Sequence, residues 1–186
     1  MKVIKIKEYG YDEAVLGFSL SYNTSIERVK QILPRYAFGI PGENKFPEQI
    51  MLWVDVTAPR YWWQEADTYR VGTSKQSEST VHTITKKLLN QSNFEYPIEE
   101  HGLETLNEFI DDFREEVDVS KKYELFTRIK NHLPEGFLQR RIWMFSYKTL
   151  QTIYIQRYSH RLPQWKHFLN LLLEQIEHPE FIVKEN

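Results

Sequence analysis

The sequence of 186 residues contains no cysteine. That absence excludes disulfide scaffolds, zinc–thiolate centres, iron–sulfur clusters and any thiol nucleophile, and it suits a reducing compartment, so a cytoplasmic location is expected. Glycine is also scarce, at 7 residues, and no glycine-rich run precedes a Lys-Ser or Lys-Thr pair. A P-loop, a G-x-G-x-x-G fingerprint and a G-x-S-x-G elbow are therefore absent. No apolar run approaches the roughly 18 residues of a membrane span, and the opening MKVIKIKEYG lacks a signal-peptide apolar region. No membrane association is expected. The six histidines never form H-E-x-x-H, and no metal site is expected from them.

What is present is aromatic and charged. Aromatic residues make up 15%, and mean hydropathy is −0.57 with 41% hydrophobic residues, the balance of a globular chain. Lys and Arg number 24 against 26 acids, a net charge of −2 that hides a polarity along the chain. From Pro97 to Asp118 nine acids face Arg114 alone, whereas Val119 to Asn170 carries ten Lys/Arg against Glu124 and Glu135, a local net of +8. A concentrated basic region inside a near-neutral chain points to an anionic ligand.

The length fits one domain over 1–186, without repeats or Gly/Ser linkers. A strand is expected over Met1–Lys7 and a helix from about Asp12. Thr24 and Glu27 have the spacing of a capping box ahead of a second helix that stops at Pro34. Phe38–Pro47 reads as a loop. In EQIMLWVDVT, Ile50, Leu52, Val54 and Val56 alternate with Met51, Trp53, Asp55 and Thr57, the period of a strand. Pro59 suits the first turn of the helix that follows. RVGTSKQSEST, from Arg70 to Thr80, is a hydroxyl-rich loop. Further helices are expected over 80–91, 102–118 (with a stripe Leu103, Leu106, Ile110, Phe113, Val117), 120–133 and 137–161. A last one opens at Pro163 with Trp165, Phe168, Leu169, Leu172 and Ile176 on one stripe. The fold class expected is α+β, a small antiparallel sheet packed with long helices.

Two regions carry candidate chemistry. Arg70 with the hydroxyls after it offers the donors a phosphate or a pyrimidine edge requires, against a plain solvated loop as the alternative. In RRIWMFSYKTLQTIYIQRYSHR, Ser146 and Arg157 lie 11 residues apart, near three helical turns, and His160 follows Arg157 by three. Read as one helix, that stripe makes an anion-site wall flanked by Tyr147, Tyr154 and Tyr158; a core helix with snorkelling cations is the equal alternative. The acid pairs Asp111–Asp112 and Glu115–Glu116 read as a solvated helix face.

Taken together, these segments resemble the flavin-dependent thymidylate synthases over roughly residues 10–170. The family pattern runs from a G-H-x-S-x-F-E-H loop, through a strand ending in Ala-Pro and a helix, to R-H-R-x-x-S-x-N-E-x-S-x-R-Y. GENKFPEQIMLWVDVTAPRYWWQEADTYR follows it without a gap: Gly42 stands at the glycine, Glu48 at the glutamate, Ala58–Pro59 at the Ala-Pro and Arg70 at the last arginine of R-H-R. With one inserted residue, Ser74 and Ser79 take the two serines. Downstream, Leu133–Pro134, Ser146, Lys148, Leu150, Arg157 and Gln164 follow the family's Leu-Pro, N-x-R-x-L and L-R-x-x-x-H-A-Q-x-E, with His160 one position displaced.

The resemblance implies dUMP as nucleotide, FAD as cofactor and a homo-oligomer. It assigns nucleotide binding to Arg70, Ser74, Ser79 and Arg157, and the flavin side to Tyr69, Ser146, Lys148 and His160; it assigns no catalytic residue. The departures are as specific. Glu43 and Lys45 replace the loop histidine and serine, and Thr68 and Tyr69 open R-H-R. Val81 replaces the phosphate-binding arginine, Ser77 the signature glutamate, Glu65 the glutamine before R-H-R, and Ser146 the flavin-side asparagine. The pattern is similar to degenerate, phage-type members of the family, which implies a nucleotide-binding protein whose thymidylate-forming activity is altered or lost. The alternative is a non-enzymatic, phage-type interaction protein that docks an acidic partner through the basic region, or a nucleic acid through Lys148, Arg157 and Arg161.

Overall fold

The computed structural model describes residues 1–39, 42 and 44–184, so Glu43, at the family's loop-histidine position, lies outside the described residues. The elements are β1 (Lys2–Tyr9), α1 (Tyr11–Tyr22), α2 (Ile26–Tyr36), β2 (Met51–Pro59), α3 (Arg60–Ala66), β3 (Thr73–Ser77), α4 (Thr80–Thr83), α5 (Glu100–Glu115), α6 (Val119–His132), β4 (Leu138–Ser146), α7 (Tyr147–Arg157) and α8 (Pro163–Leu173). The strands form one antiparallel sheet in the order β1-β2-β4-β3, and the class is α+β as expected.

By its internal contacts the chain divides into two compact units. One comprises Thr57–Ala66 and Ser77–Arg140 with Met1; the other comprises Lys2–Val56, Asp67–Gln76 and the chain from Arg141 onward. The first has its own apolar cluster of Ile84, Leu89, Phe94, Leu106, Ile110, Ile129 and Leu133. The acids Asp111, Asp112 and Glu115 lie exposed on α5, which the periodic reading anticipated, while Glu116 is half-buried. In the second unit, Leu52, Val54 and Val56 of β2 are buried while Met51, Trp53 and Asp55 are only half-buried. On α8, Trp165, Phe168, Leu169 and Leu172 are fully enclosed; Ile176, expected on the same stripe, is nearly so but lies past the helix end at Leu173. Pro163 takes the first position of α8, where its missing N–H is no loss.

Several expectations are corrected. The segment 137–161 is not one helix: β4 runs to Ser146 and only then does α7 begin. In LQRRIWMFS, Trp143 and Phe145 are buried and alternate with Ile142 and Met144, so ladder pairing and side-chain alternation override the helix preference of its Leu, Arg and Met. Thr73–Ser77 is not loop but the polar edge strand β3, which no apolar alternation announces. The helix expected over 80–91 shrinks to Thr80–Thr83. The β-branched run Thr80, Val81, Thr83, Ile84 and Thr85 favours helix poorly, and the Thr83 hydroxyl bonds back to the Ser79 carbonyl at 2.8 Å. Helix α2 is capped by Ser25, whose Oγ accepts from the Arg28 N–H at 3.3 Å, not by Thr24, and it continues past Pro34 to Tyr36. Pro59 ends β2 instead of opening α3, and α5 stops at Glu115, leaving Val117 91% exposed.

In the second unit, Gln151 on α7 is buried and its Nε2 donates to two distant carbonyls, Ala37 at 2.9 Å and Phe181 at 2.6 Å. Gln151→Leu should therefore lower unfolding free energy in urea by about 1–3 kcal/mol, because buried carbonyls lose their donor. The exposed Val117→Ser should stay within about 0.5 kcal/mol of the wild type. Equal stability of the two variants would refute the assignment.

Candidate functional site

The site in the second unit begins with a change of direction. Ser146 ends β4, and its Oγ accepts from the Thr149 N–H at 3.2 Å, capping α7. The next residue, Tyr147, donates its N–H to the Ile50 carbonyl at 2.9 Å. Against this first turn lies the turn before β3. Gly72 there has φ +64°, and a Cβ on it would sit 3.3 Å from Thr149 Oγ1, so both backbone conformation and space favour glycine. Thr149 Oγ1 also donates to the Val71 carbonyl at 3.4 Å.

The turn is clamped from its other side. Asp67 accepts from Arg141 at 2.9 and 3.0 Å and lies 3.8 Å from Lys75 Nζ. Lys75 donates to the Tyr69 carbonyl at 3.0 Å and sits 4.8 Å from the centre of the Trp143 ring. Burial holds the Lys75 ammonium below its ordinary pKa of 10.5; Asp67 opposes that shift and Arg141 reinforces it.

Between the clamped turn and α7 lies an open groove of about 390 Å³, lined by Tyr69, Arg70, Lys148, Thr149, Thr152 and Gln156 among others. Three of the residues singled out in the sequence, Tyr69, Arg70 and Lys148, therefore share one groove. The Arg70 and Lys148 side chains make no ion pair or hydrogen bond among the described residues. Two unpaired cations in one groove are the donors a phosphate-type anion requires.

Arg157, the last residue of α7, packs beside this groove. Its Nε donates to the Tyr69 hydroxyl at 2.9 Å, and that hydroxyl donates onward to Gln156 Oε1 at 2.9 Å. Its guanidinium carbon lies 5.6 Å from the centre of the Tyr69 ring and 5.3 Å from that of Trp165. Its Nη1 is 2.9 Å from His160 Nε2, while His160 Nδ1 accepts from the Leu162 N–H at 3.2 Å. Tyr69, Arg157 and His160 thus form one cluster.

Other candidates fall elsewhere. Ser146 caps α7 and Arg157 ends it, about 16 Å apart by helical rise, so the two cannot touch one small anion. The Ser146 hydroxyl is buried and engaged in its cap. Tyr147 does not flank an anion wall: it is fully buried and its hydroxyl bonds Glu8. Tyr154 and Tyr158 pack on each other at 4.7 Å. Ser74 is exposed on β3. Ser79 belongs to the other unit, where it precedes α4. Asp67, Lys75 and Arg141 went unread as a clamp because 74 residues separate Asp67 from Arg141 and no local pattern links them. Among the described residues, no group of three or more His, Cys, Asp or Glu side chains could hold a metal ion.

The clamp has a consequence for alkaline stability. A lysine whose folded pKa lies below its unfolded value binds fewer protons when folded, so its burial penalises the fold at neutral pH and stops doing so as pH rises through 10.5. The stability of the wild type relative to Lys75→Met should therefore rise as the pH is raised toward that value, measured by urea unfolding at each pH. A difference that is flat, or that falls, would refute the buried-ammonium assignment.

No family model and no curated protein matches the chain. Among solved structures it is similar to the flavin-dependent thymidylate synthase ThyX from Helicobacter pylori complexed with FAD and dUMP, with a TM-score of 0.73 at 16% identity over 99% of this chain and 98% of that one. A second structure of the Helicobacter pylori enzyme with FAD and dUMP gives 0.74 at 15% identity over the same shares. Across its whole described length, the chain has the fold of the flavin-dependent thymidylate synthases.

Proposed function

We propose that this chain is a nucleotide-binding protein on the thymidylate synthase fold, with the thymidylate-forming activity altered or lost. The observation that carries the reading is the groove in which Arg70 and Lys148, both unpaired among the described residues, stand beside the Tyr69 ring. The fold supports it, since the similar structures hold FAD and dUMP. Arg70 and Lys148 would hold phosphate oxygens, and Tyr69 offers a ring face for stacking. Arg157 would add charge from within its cluster, and its Nε–H bond to the Tyr69 hydroxyl keeps that ring in place.

The residues present fit the phosphate-bearing part of a flavin nucleotide, with Arg70 and Lys148 as its cations. FAD, when bound, would supply hydride chemistry. The residues fit the complete parent reaction less well. The Ser146 hydroxyl that stands at the family's asparagine is engaged in capping α7. Val81 stands where the family has a phosphate-binding arginine, and it is exposed. Losing a charge-assisted pair costs about 1.5–3 kcal/mol, which is the basis for reading the activity as altered.

Thermal unfolding with dUMP, dTMP and FAD tests the reading. A ligand at 100 times its dissociation constant should add about 2.7 kcal/mol of stability. Arg70→Ala and Lys148→Ala should each weaken binding of the stabilising ligand by about tenfold or more. A protein that none of the three ligands stabilises, and that takes up no flavin on mixing, would refute it.

A further inference from the structure

A carboxylate far from the groove in sequence is built into its support. Glu8 sits on β1 with its side chain only 3% exposed. A carboxylate so enclosed is costly unless donors surround it. Glu8 has three: Lys5 Nζ at 3.0 Å, the Glu177 N–H at 3.0 and 3.3 Å to its two oxygens, and the Tyr147 hydroxyl. Tyr147 is itself fully buried, and its hydroxyl also accepts from the His178 N–H at 3.3 Å. Burial, and next the bond to Glu8, push the Tyr147 phenol far above its ordinary range, so it remains a donor at any working pH.

Tyr147 is therefore held at both ends: its N–H on the Ile50 carbonyl and its hydroxyl on Glu8. The residues that follow it, Lys148 and Thr149, line the groove. We propose that Glu8 is a positioning residue for the groove, acting through Tyr147 to fix the first turn of α7 and with it the direction of Lys148 and Thr149. The proposal rests on the reading of the groove as the binding site. Without the Glu8 carboxylate, the Tyr147 hydroxyl and the Glu177 N–H lose their acceptor in a closed interior, and the relief open to Tyr147 is to rotate, which carries the start of α7 with it.

The test compares Glu8→Ala, Glu8→Gln and Tyr147→Phe in the full chain, with dUMP as the probe and hydrogen exchange at the Tyr147 and Thr149 amides as the second measurement. Glu8→Ala and Tyr147→Phe should each weaken dUMP binding by about tenfold and speed exchange at both amides. Their combination should lose no more than the worse single variant, because both break one contact. Glu8→Gln keeps an acceptor oxygen and should stay within about threefold of the wild type. Should Glu8→Ala fail to fold, Tyr147→Phe, which keeps the ring and its packing, carries the comparison alone. A merely structural role would lower the melting temperature and leave affinity and exchange well below it unmoved, and that result would overturn the proposal. If the wild type binds no dUMP, the reading of the groove falls, and exchange at the two amides decides whether Glu8 fixes α7; unchanged exchange there overturns the positioning role.

Discussion

Everything in the groove depends on where the chain stops being strand and becomes helix. That change occurs between Ser146 and Tyr147 with no intervening loop. Each of the groups such a junction exposes has a named partner: the Ser146 hydroxyl takes the Thr149 N–H, the Ile50 carbonyl takes the Tyr147 N–H, and Glu8 takes the phenol. A strand end in a sheet is rigid, and a capped helix start is rigid, so two consecutive residues transmit the position of β4 to Lys148 and Thr149. The turn carrying Tyr69 and Arg70 then fits against this fixed edge because Gly72 has no side chain to hold it away.

The second determinant is which cations the fold uses for itself. The ten Lys and Arg between Val119 and Asn170 do not form one basic surface: five lie in each of the two units. Within the second, Arg141 is spent on Asp67, Arg157 on Tyr69 and His160, and Lys166 lies 5.2 Å from the centre of the Tyr158 ring. Lys75, outside that run, is enclosed by Trp143 and the Tyr69 carbonyl. Internal pairing of this kind lowers the field a charge count suggests, and Lys148 is the member of the run that lines the groove with its side chain unpaired. The groove takes one cation, Lys148, from that run and the other, Arg70, from outside it.

The parts of the fold that the sequence announces are those where burial has a period. β2 alternates because one face is enclosed, and α5, α6 and α8 show stripes because one side of each packs. β3 could not be read that way: it is an edge strand of polar residues whose only structural signal is its pairing with β4, and pairing between distant segments leaves no mark in either one. β4 was hidden differently, since its two buried aromatics sit among strong helix formers and run without a break into a true helix. The site followed the same division. Tyr69, Arg70 and Lys148, which motif spacing singles out, line one groove. The clamp of Asp67, Lys75 and Arg141, and the Glu8–Tyr147 pair, were not legible, because each joins residues whose relation exists only once the chain is folded.

Spacing and chemistry therefore carry different information in this chain. A fold shared at 15–16% identity survives wide change in the side chains at its turns, caps and strands. The side chains at those places are under a second demand, that of holding the fold together. Ser146 illustrates it: its hydroxyl, at the position the resemblance pairs with the family's asparagine, is here directed at the Thr149 N–H as a helix cap. His160 shows the same tension, with N–H groups of Leu162 and Arg157 facing both ring nitrogens although a neutral imidazole can accept at only one of them. Within the groove, the cations without such local commitments among the described residues are Arg70 and Lys148, and it is these, not the count of motif matches, on which the binding reading rests.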